Sequence, residues 1–400
     1  MLIGIVGKPN AGKTTFLNAT CLTSAKIGSY PFTTIKPNLG KAYVRKKCVC
    51  KELTVDDDPK NSLCIEGIRL IPIDLIDVAG LVPDAWKGKG LGNKFLNDLS
   101  RADALIHVID ASGSTNAEGK QVEPGTWDPL KDVKFLEHEI NHWIDDIIKR
   151  DWAKFTRTLK AKKTSFIEQM TDRLSGLSIK RLHIIKALKD SKLNKDKAYD
   201  WTEDDIFKFS SSLRKISKPM IILANKIDQK TAVKNIERLK QLNDYKIIEG
   251  CALGEYWLRK YAKEDKIEYV PGDPDFKILK ENEFNKNELN VLKNLKDLMN
   301  KYGSTGIQKA LDAAVFDLLN MIVIYPVHNV SDYSDKKGNV LPDAFLVKEG
   351  TTIKEFAGII HTDLEESFLH GLNARTKQRL GENYELKDCD IVKIESMKGI

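Results

Sequence analysis

A short apolar run, Leu2 to Val6, passes directly into Gly7-Lys8-Pro9-Asn10-Ala11-Gly12-Lys13-Thr14. These eight residues satisfy G-x-x-x-x-G-K-[ST] in full, and their setting between a strand and a helix beginning near Thr14 is the one such a loop requires. No other feature restricts the fold as much. The glycines let backbone N–H groups curl around phosphate oxygens at the positive end of a helix. Lys13 is placed to meet the β and γ phosphates as a point charge, and Thr14 to give its hydroxyl to Mg²⁺. Lys8, Pro9, Asn10, Ala11, Gly12 and Thr15 complete the expected phosphate-binding loop.

Three further elements follow in the order a guanine-nucleotide site needs. Asp77-Val78-Ala79-Gly80 ends a strand, which puts Asp77 near the metal and the Gly80 N–H near the γ-phosphate. Thr33 and Thr34 lie between the first two strands, where a loop can bring Thr34 to the metal. Asn225-Lys226-Ile227-Asp228 follows the apolar run Met220 to Ala224 and is the base-reading signal. The Asp228 carboxylate only accepts hydrogen bonds. Guanine offers it N1–H and an amino group, whereas adenine offers an acceptor at N1 and nothing at C2. Asp228 therefore selects GTP and GDP. Downstream, Cys251-Ala252-Leu253 follows a strand expected at Tyr245 to Ile248, and the Ala252 N–H is assigned to guanine O6.

Short buried runs such as Ala104 to Ile109, alternating with helical patterns, indicate an α/β fold with a mostly parallel sheet and helices on both faces. Asp77 and Asn225 stand 148 positions apart, far more than the intervening strand and two helices need. The surplus holds two amphipathic stripes. One runs through Leu136, Ile140, Trp143, Ile144 and Ile147, the other through Trp152, Phe155, Leu159, Phe166, Met170 and Leu174. They predict an inserted helical hairpin. The expected division is residues 1–114 and 218–320 for the nucleotide domain, 115–217 for the insert and 321–400 for a compact C-terminal αβ module.

These motifs resemble the YchF subfamily of the Obg-like P-loop GTPases, in its archaeal form. Gly-Lys-Pro-Asn-Ala-Gly-Lys-Thr, Tyr30-Pro-Phe-Thr-Thr-Ile-Lys-Pro-Asn38, Asp77-Val-Ala-Gly-Leu-Val-Pro83 and Gly88 to Leu96 carry the likeness, with Asn-Lys-Ile-Asp. Leu341 to Ala357 and Tyr384 to Ile394 are similar to a TGS domain, a ubiquitin-like β-grasp module. The resemblance covers nearly the whole chain. It implies a cytosolic GTPase with Mg²⁺, associated with ribosome, rRNA or tRNA. Some relatives that prefer ATP lack the Lys and Asp of the base-reading motif. Both stand here, so GTP is the expected substrate and ATP a weaker one.

The position where Ras-like GTPases carry a water-orienting Gln is Leu81, so intrinsic hydrolysis is expected to be slow. Lys13, Asn10, Thr34 and Gly80 are the candidate catalytic residues. Two readings of Asn10 stand side by side: a ligand for K⁺ near the β–γ bridge, or a residue that simply accommodates the turn. The glycines and lysines of Pro83 to Asn97 suit a nucleotide-responsive switch. Two function classes remain open, a slow regulatory GTPase and a nucleotide-sensing adaptor whose turnover is incidental.

The chain of 400 residues carries a formal net charge of +7, which permits an anionic partner without requiring one. Lys149, Arg150, Lys154, Arg157, Lys160, Lys162 and Lys163 crowd the insert, and Arg375, Lys377 and Arg379 the C-terminal module. These clusters suit phosphate-backbone contacts. No run is apolar and long enough for a membrane span. The six cysteines are sparse, as in a cytosolic chain. Cys48 and Cys50 form a C-x-C with Cys64 downstream, but nothing nearby in the sequence supplies a convincing fourth ligand. They are read as ordinary strand cysteines.

Overall fold

The computed structural model describes residues 1–21, 39–78, 86, 98–162 and 164–397. Two compact units emerge: Met1–Ala42 with Asp74–Ala310, and Tyr43–Ile73 with Leu311–Ile400.

The first unit is built on parallel strands. β1 (Leu2–Val6) lies between β4 (Ile68–Asp77), paired through Asp74 to Asp77, and β5 (Ala104–Asp110). β5 is followed in space by β6 (Met220–Asn225) and then β7 (Ile247–Gly250). Every residue of β5 and β6 is buried. Strands covered on both faces read as unbroken apolar runs, which is why these were legible without alternation. A short antiparallel pair, β8 (Ile267–Glu268) and β9 (Lys277–Ile278), also lies in this unit. All the parallel strands end on the same side. The crevice beyond their carboxyl ends is where such sheets bind ligands.

Within the 115–217 stretch the first helix is Leu130–Lys149, whose buried face of Val133, Leu136, Ile140, Trp143, Ile144 and Ile148 follows helical spacing. The second stripe is not one helix. It is divided into Trp152–Lys162 and Phe166–Leu174, with Ser165 in extended conformation at the N-cap of the latter. Two more helices follow, Arg181–Ser191 and Glu203–Ser217. The long first helix packs chiefly against this last one, so in place of the expected hairpin the described residues form a bundle of five α-helices. An aromatic cluster explains the arrangement. Trp201 stacks on Trp152 at 5.6 Å between ring centroids, and both meet Phe166. Thr202 and Asp205 form a capping box that starts Glu203–Ser217 immediately after Trp201. The bundle shares one core with Val6, Leu99, Leu105 and Met220 of the sheet side.

In the second unit, β10 (Met321–Pro326) runs parallel to β14 (Asp390–Ser396) and antiparallel to β11 (Phe345–Lys348). β12 (Phe368–Asn373) and β13 (Arg379–Leu380) extend the sheet beyond β14. The helix Ile353–Ile360 lays Ile353 and Phe356 onto Ile324, Val347 and Val392. This is a β-grasp arrangement. The stretch Tyr43–Ile73 holds most of β2 (Leu39–Lys47), a five-residue helix Val49–Leu53, and β3 (Leu63–Ile65) paired antiparallel with the start of β4. Asn61 trades two hydrogen bonds with the backbone of Ala344, and Glu52 is gripped by Arg375 through two.

Candidate nucleotide-binding site

Two glycines shape the loop after β1. Gly7 has φ +145, and a Cβ there would stand 2.4 Å from the Val108 carbonyl oxygen. Gly12 has φ +103, and its Cβ would meet the Asn225 amide nitrogen at 2.2 Å. No L side chain fits either place. Asn10 is left-handed at φ 60, a region Asn enters readily, and its side-chain N–H donates to the Gly119 carbonyl at 2.9 Å. That is what the turn-forming reading of Asn10 requires.

Beneath the loop, Lys8 turns its ammonium away from the cleft. It donates to the Thr115 carbonyl at 2.6 Å and pairs with the buried Asp132 at 2.8 Å, lying over the Trp127 ring. Burial lowers the pKa of Lys8 and raises that of Asp132, while their pairing opposes both shifts. His107 is fully buried nearby, and its pKa is pushed down to about 3 by burial first and then by Lys13 and Lys8. It stays neutral.

A cleft of about 380 Å³ opens at the carboxyl ends of β1 and β6. It brings together Asn10, Gly12, Lys13, Thr14, Thr15, Asn225, Lys226, Asp228 and Leu253 of the expected residues, and adds Gln229. The Lys13 ammonium donates to the Lys8 carbonyl at 2.9 Å. Its pKa is lowered by burial, with Asp77 pulling the other way. The Thr14 hydroxyl donates to Asp77 Oδ2 at 2.9 Å. Asp77 Oδ1 is buried and has no hydrogen-bond partner among the described residues. Burial raises the Asp77 pKa against the opposing effects of Thr14 and Lys13. A hydroxyl beside an unsatisfied hard oxygen is a donor set suited to Mg²⁺.

Asn225 joins the two ends of the cleft. Its amide N–H donates to the Ala11 carbonyl at 2.9 Å and its carbonyl accepts from the Ala252 N–H at 3.0 Å. The Ala252 amide expected to meet guanine O6 is thus already engaged by Asn225. Cys251 caps the helix Ala252–Lys263 by accepting from the Gly254 N–H, and its thiol faces Asp228 at 3.4 Å. Burial, then the Asp228 charge, pushes the Cys251 pKa up to about 12, which keeps it a neutral thiol. Asp228 is exposed, and the Gln229 side chain donates to its Oδ2 at 2.6 Å.

The base-side loop is held through Asp110, Ser112, Ser114 and Thr115, which the sequence reading did not single out as site residues. Lys226, at φ 67, donates to the buried Asp110 at 2.9 Å. Ser112, Ser114 and Thr115 also donate to that carboxylate. Burial alone would raise the Asp110 pKa, but the hydrogen bonds from Ser112, Thr115 and Lys226 outweigh it and the pKa is lowered. An acidic residue ending a buried strand and followed by Ala-Ser-Gly-Ser was the available signal. Thr33, Thr34, Gly80, Leu81 and all of Pro83 to Asn97 except Trp86 lie outside the described residues.

A P-loop nucleotide-binding domain joined to a β-grasp module is the class that fold and cleft define. Residues 2–148 match the model described as 50S ribosome-binding GTPase. Residues 223–329 match Obg-like GTPase YGR210-like, G4 motif-containing domain, and residues 333–395 match the TGS domain. The chain is 49% identical to an uncharacterized GTP-binding protein of Methanocaldococcus jannaschii, over 99% of each chain. The crystal structure of a GTP binding protein from Pyrococcus horikoshii OT3 shares 38% identity at a TM-score of 0.81, covering 99% of this chain and 100% of the other. The ribosome-binding ATPase YchF of Bacillus subtilis is 24% identical over 97% of each chain. The chain belongs to the Obg-like/YchF family of P-loop GTPases.

Proposed function

We propose that this protein binds GTP with Mg²⁺ and hydrolyses it slowly to GDP and phosphate, as a switch acting with the ribosome or its RNA. The observation that carries this reading is the single cleft uniting Lys13 and Thr14, after β1, with Asp228, after β6. The amides of the loop from Gly7 to Thr15 cradle the phosphates. Lys8 contributes there through its backbone only, its side chain being held by Asp132. The Lys13 ammonium leaves the Lys8 carbonyl for the β and γ phosphate oxygens. Thr14 and Asp77 would hold Mg²⁺, which neutralises phosphate charge when bound. Asp228 exchanges its Gln229 partner for the N1–H and amino group of guanine.

Two residues proposed for the γ-phosphate end, Thr34 and the amide of Gly80, complete the catalytic set with Lys13 and Asn10. Leu81 has no group to orient water, so a partner surface or a K⁺ ion beside Asn10 completes the site. The ribosomal association draws on the names of the matching family model and of the Bacillus relative. The basic residues of Trp152–Lys162 support it, since no acidic side chain stands among them. No helix among the described residues is long and apolar enough to cross a membrane, and the proposed setting is the cytoplasm.

Competition between labelled GTP and unlabelled GTP or ATP tests the base preference, and turnover with and without ribosomes tests the role. Stimulation by ribosomes supports the switch. Negligible turnover in both states supports the adaptor reading, and absence of guanine-nucleotide binding overturns both. Ribosome binding that does not weaken with added salt counts against an RNA contact.

A further inference from the structure

Three of the six cysteines converge on one place in the second unit. Cys48 stands at the N-cap of the helix Val49–Leu53, Cys50 lies within that helix, and Cys64 sits in the middle of β3. They are therefore not three strand cysteines. The fourth member, missing from the local sequence pattern, is Asp57. The helix ends at Thr54 in a left-handed conformation, φ 54, and the chain folds back over the thiols. The spacing becomes C-x-C-x₆-D-x₆-C.

The four donor atoms, three Sγ and one carboxylate oxygen, all lie within 4.8 Å of one another. Cys50 Sγ and Cys64 Sγ are 3.8 Å apart, and Cys48 Sγ is 3.3 Å from Asp57 Oδ2. These two distances are opposite edges of a tetrahedron. Around zinc, with Zn–S about 2.3 Å and Zn–O about 2.0 Å, such edges measure about 3.8 Å for S···S and about 3.5 Å for S···O. We propose that Cys48, Cys50, Cys64 and Asp57 bind one Zn²⁺ ion, which clamps the 43–73 segment of the second unit.

The surroundings fit a charged centre and not an apolar packing of thiols. Arg69 is wholly buried and is the cross-strand partner of Cys64 in the β3–β4 hairpin. Its guanidinium pairs with Asp57 Oδ2 at 3.2 Å and also donates to Ser62 Oγ and the Leu341 carbonyl. Three thiolates and a carboxylate around a dication carry a net charge of −2, half of which a buried guanidinium offsets while fixing the carboxylate. Soft sulfur donors exclude Mg²⁺ and Ca²⁺. Four protein ligands leave no open position, so the ion's role is structural. Such a tie suits the 43–73 stretch, whose helix among the described residues, Val49–Leu53, has five residues, because metal binding free energy adds directly to folding.

The test uses the full chain, purified under argon without a metal-affinity step. Elemental analysis should find one zinc per chain. After removal of the metal, Co²⁺ titration should give a sulfur-to-cobalt charge-transfer band and ligand-field bands of a tetrahedral site, saturating at one equivalent and bleached by Zn²⁺. Cys64→Ser should abolish the charge-transfer band or weaken Co²⁺ binding at least 100-fold, while the double substitution Cys21→Ser, Cys389→Ser should leave it intact. Labelled-GTP binding by Cys64→Ser reports that the first unit has folded, and amide hydrogen-exchange protection of β10 and β14 reports the same for the second. The wild-type stoichiometry stands independently of any variant. Substoichiometric metal with no cobalt band, a Cys64→Ser variant that keeps the band with Co²⁺ binding weakened less than 100-fold, or a Cys50–Cys64 disulfide in the argon-purified protein would each overturn the assignment.

Discussion

At the scale of single residues, hydrogen-bond polarity decides which base enters and how the site tolerates acid. Asp228→Asn replaces an acceptor with a group that also donates. GTP affinity should fall by about 30-fold or more, roughly 2 kcal/mol, and xanthosine triphosphate, with a carbonyl at C2, should gain on it. Competition against labelled GTP reads both, and unchanged preference would remove Asp228 from the base site. Asp110 titrates below its ordinary value in the folded state. Its stabilisation is therefore complete above the unfolded carboxylate pKa of about 3.9 and is lost as pH falls through the lower folded value. Asp110→Asn should cost about 2–4 kcal/mol in urea unfolding at pH 7, with the deficit closing in acid. A pH-independent deficit would contradict this. Thr14, Asp77 and Asp228 were legible because a motif fixes each to a neighbouring strand end. Asp110 and Asp57 were not, because their meaning comes from partners that chain folding brings in, Lys226 and the three thiols.

Among elements, the contact between the phosphate loop and the helix Leu130–Lys149 depends on a buried charge pair. It rests on the Lys8–Asp132 pair, with Trp127 donating to the same carboxylate at 2.9 Å. Asp132→Ala strands a buried ammonium and should cost about 3–5 kcal/mol, whereas Lys8→Met with Asp132→Leu should recover most of it. A double-mutant cycle by thermal or urea unfolding checks the coupling. Parallel strands were readable as buried apolar runs, and the long helix by its stripe of Val133 to Ile148. The break after Trp152–Lys162 was not readable. The apolar spacing continues across it, and only the tertiary stack of Trp201 on Trp152 shows that the chain must turn.

For the whole molecule, the reaction and the assembly of the chain raise separate questions. If a monovalent cation beside Asn10 supplies the charge that Leu81 cannot, turnover in KCl should exceed that in NaCl by about tenfold or more, a barrier change of roughly 1.4 kcal/mol. Equal rates would assign Asn10 to the turn alone, as its left-handed φ already allows. The second unit draws on Tyr43–Ile73 and on Leu311–Ile400. A polypeptide emerges from its amino end first. During synthesis the early piece therefore leaves the exit tunnel long before the strands it belongs with. Until the strands of Leu311–Ile400 have followed, Tyr43–Ile73 lacks its later partners, so this module closes only after the whole intervening stretch of the first unit has been made.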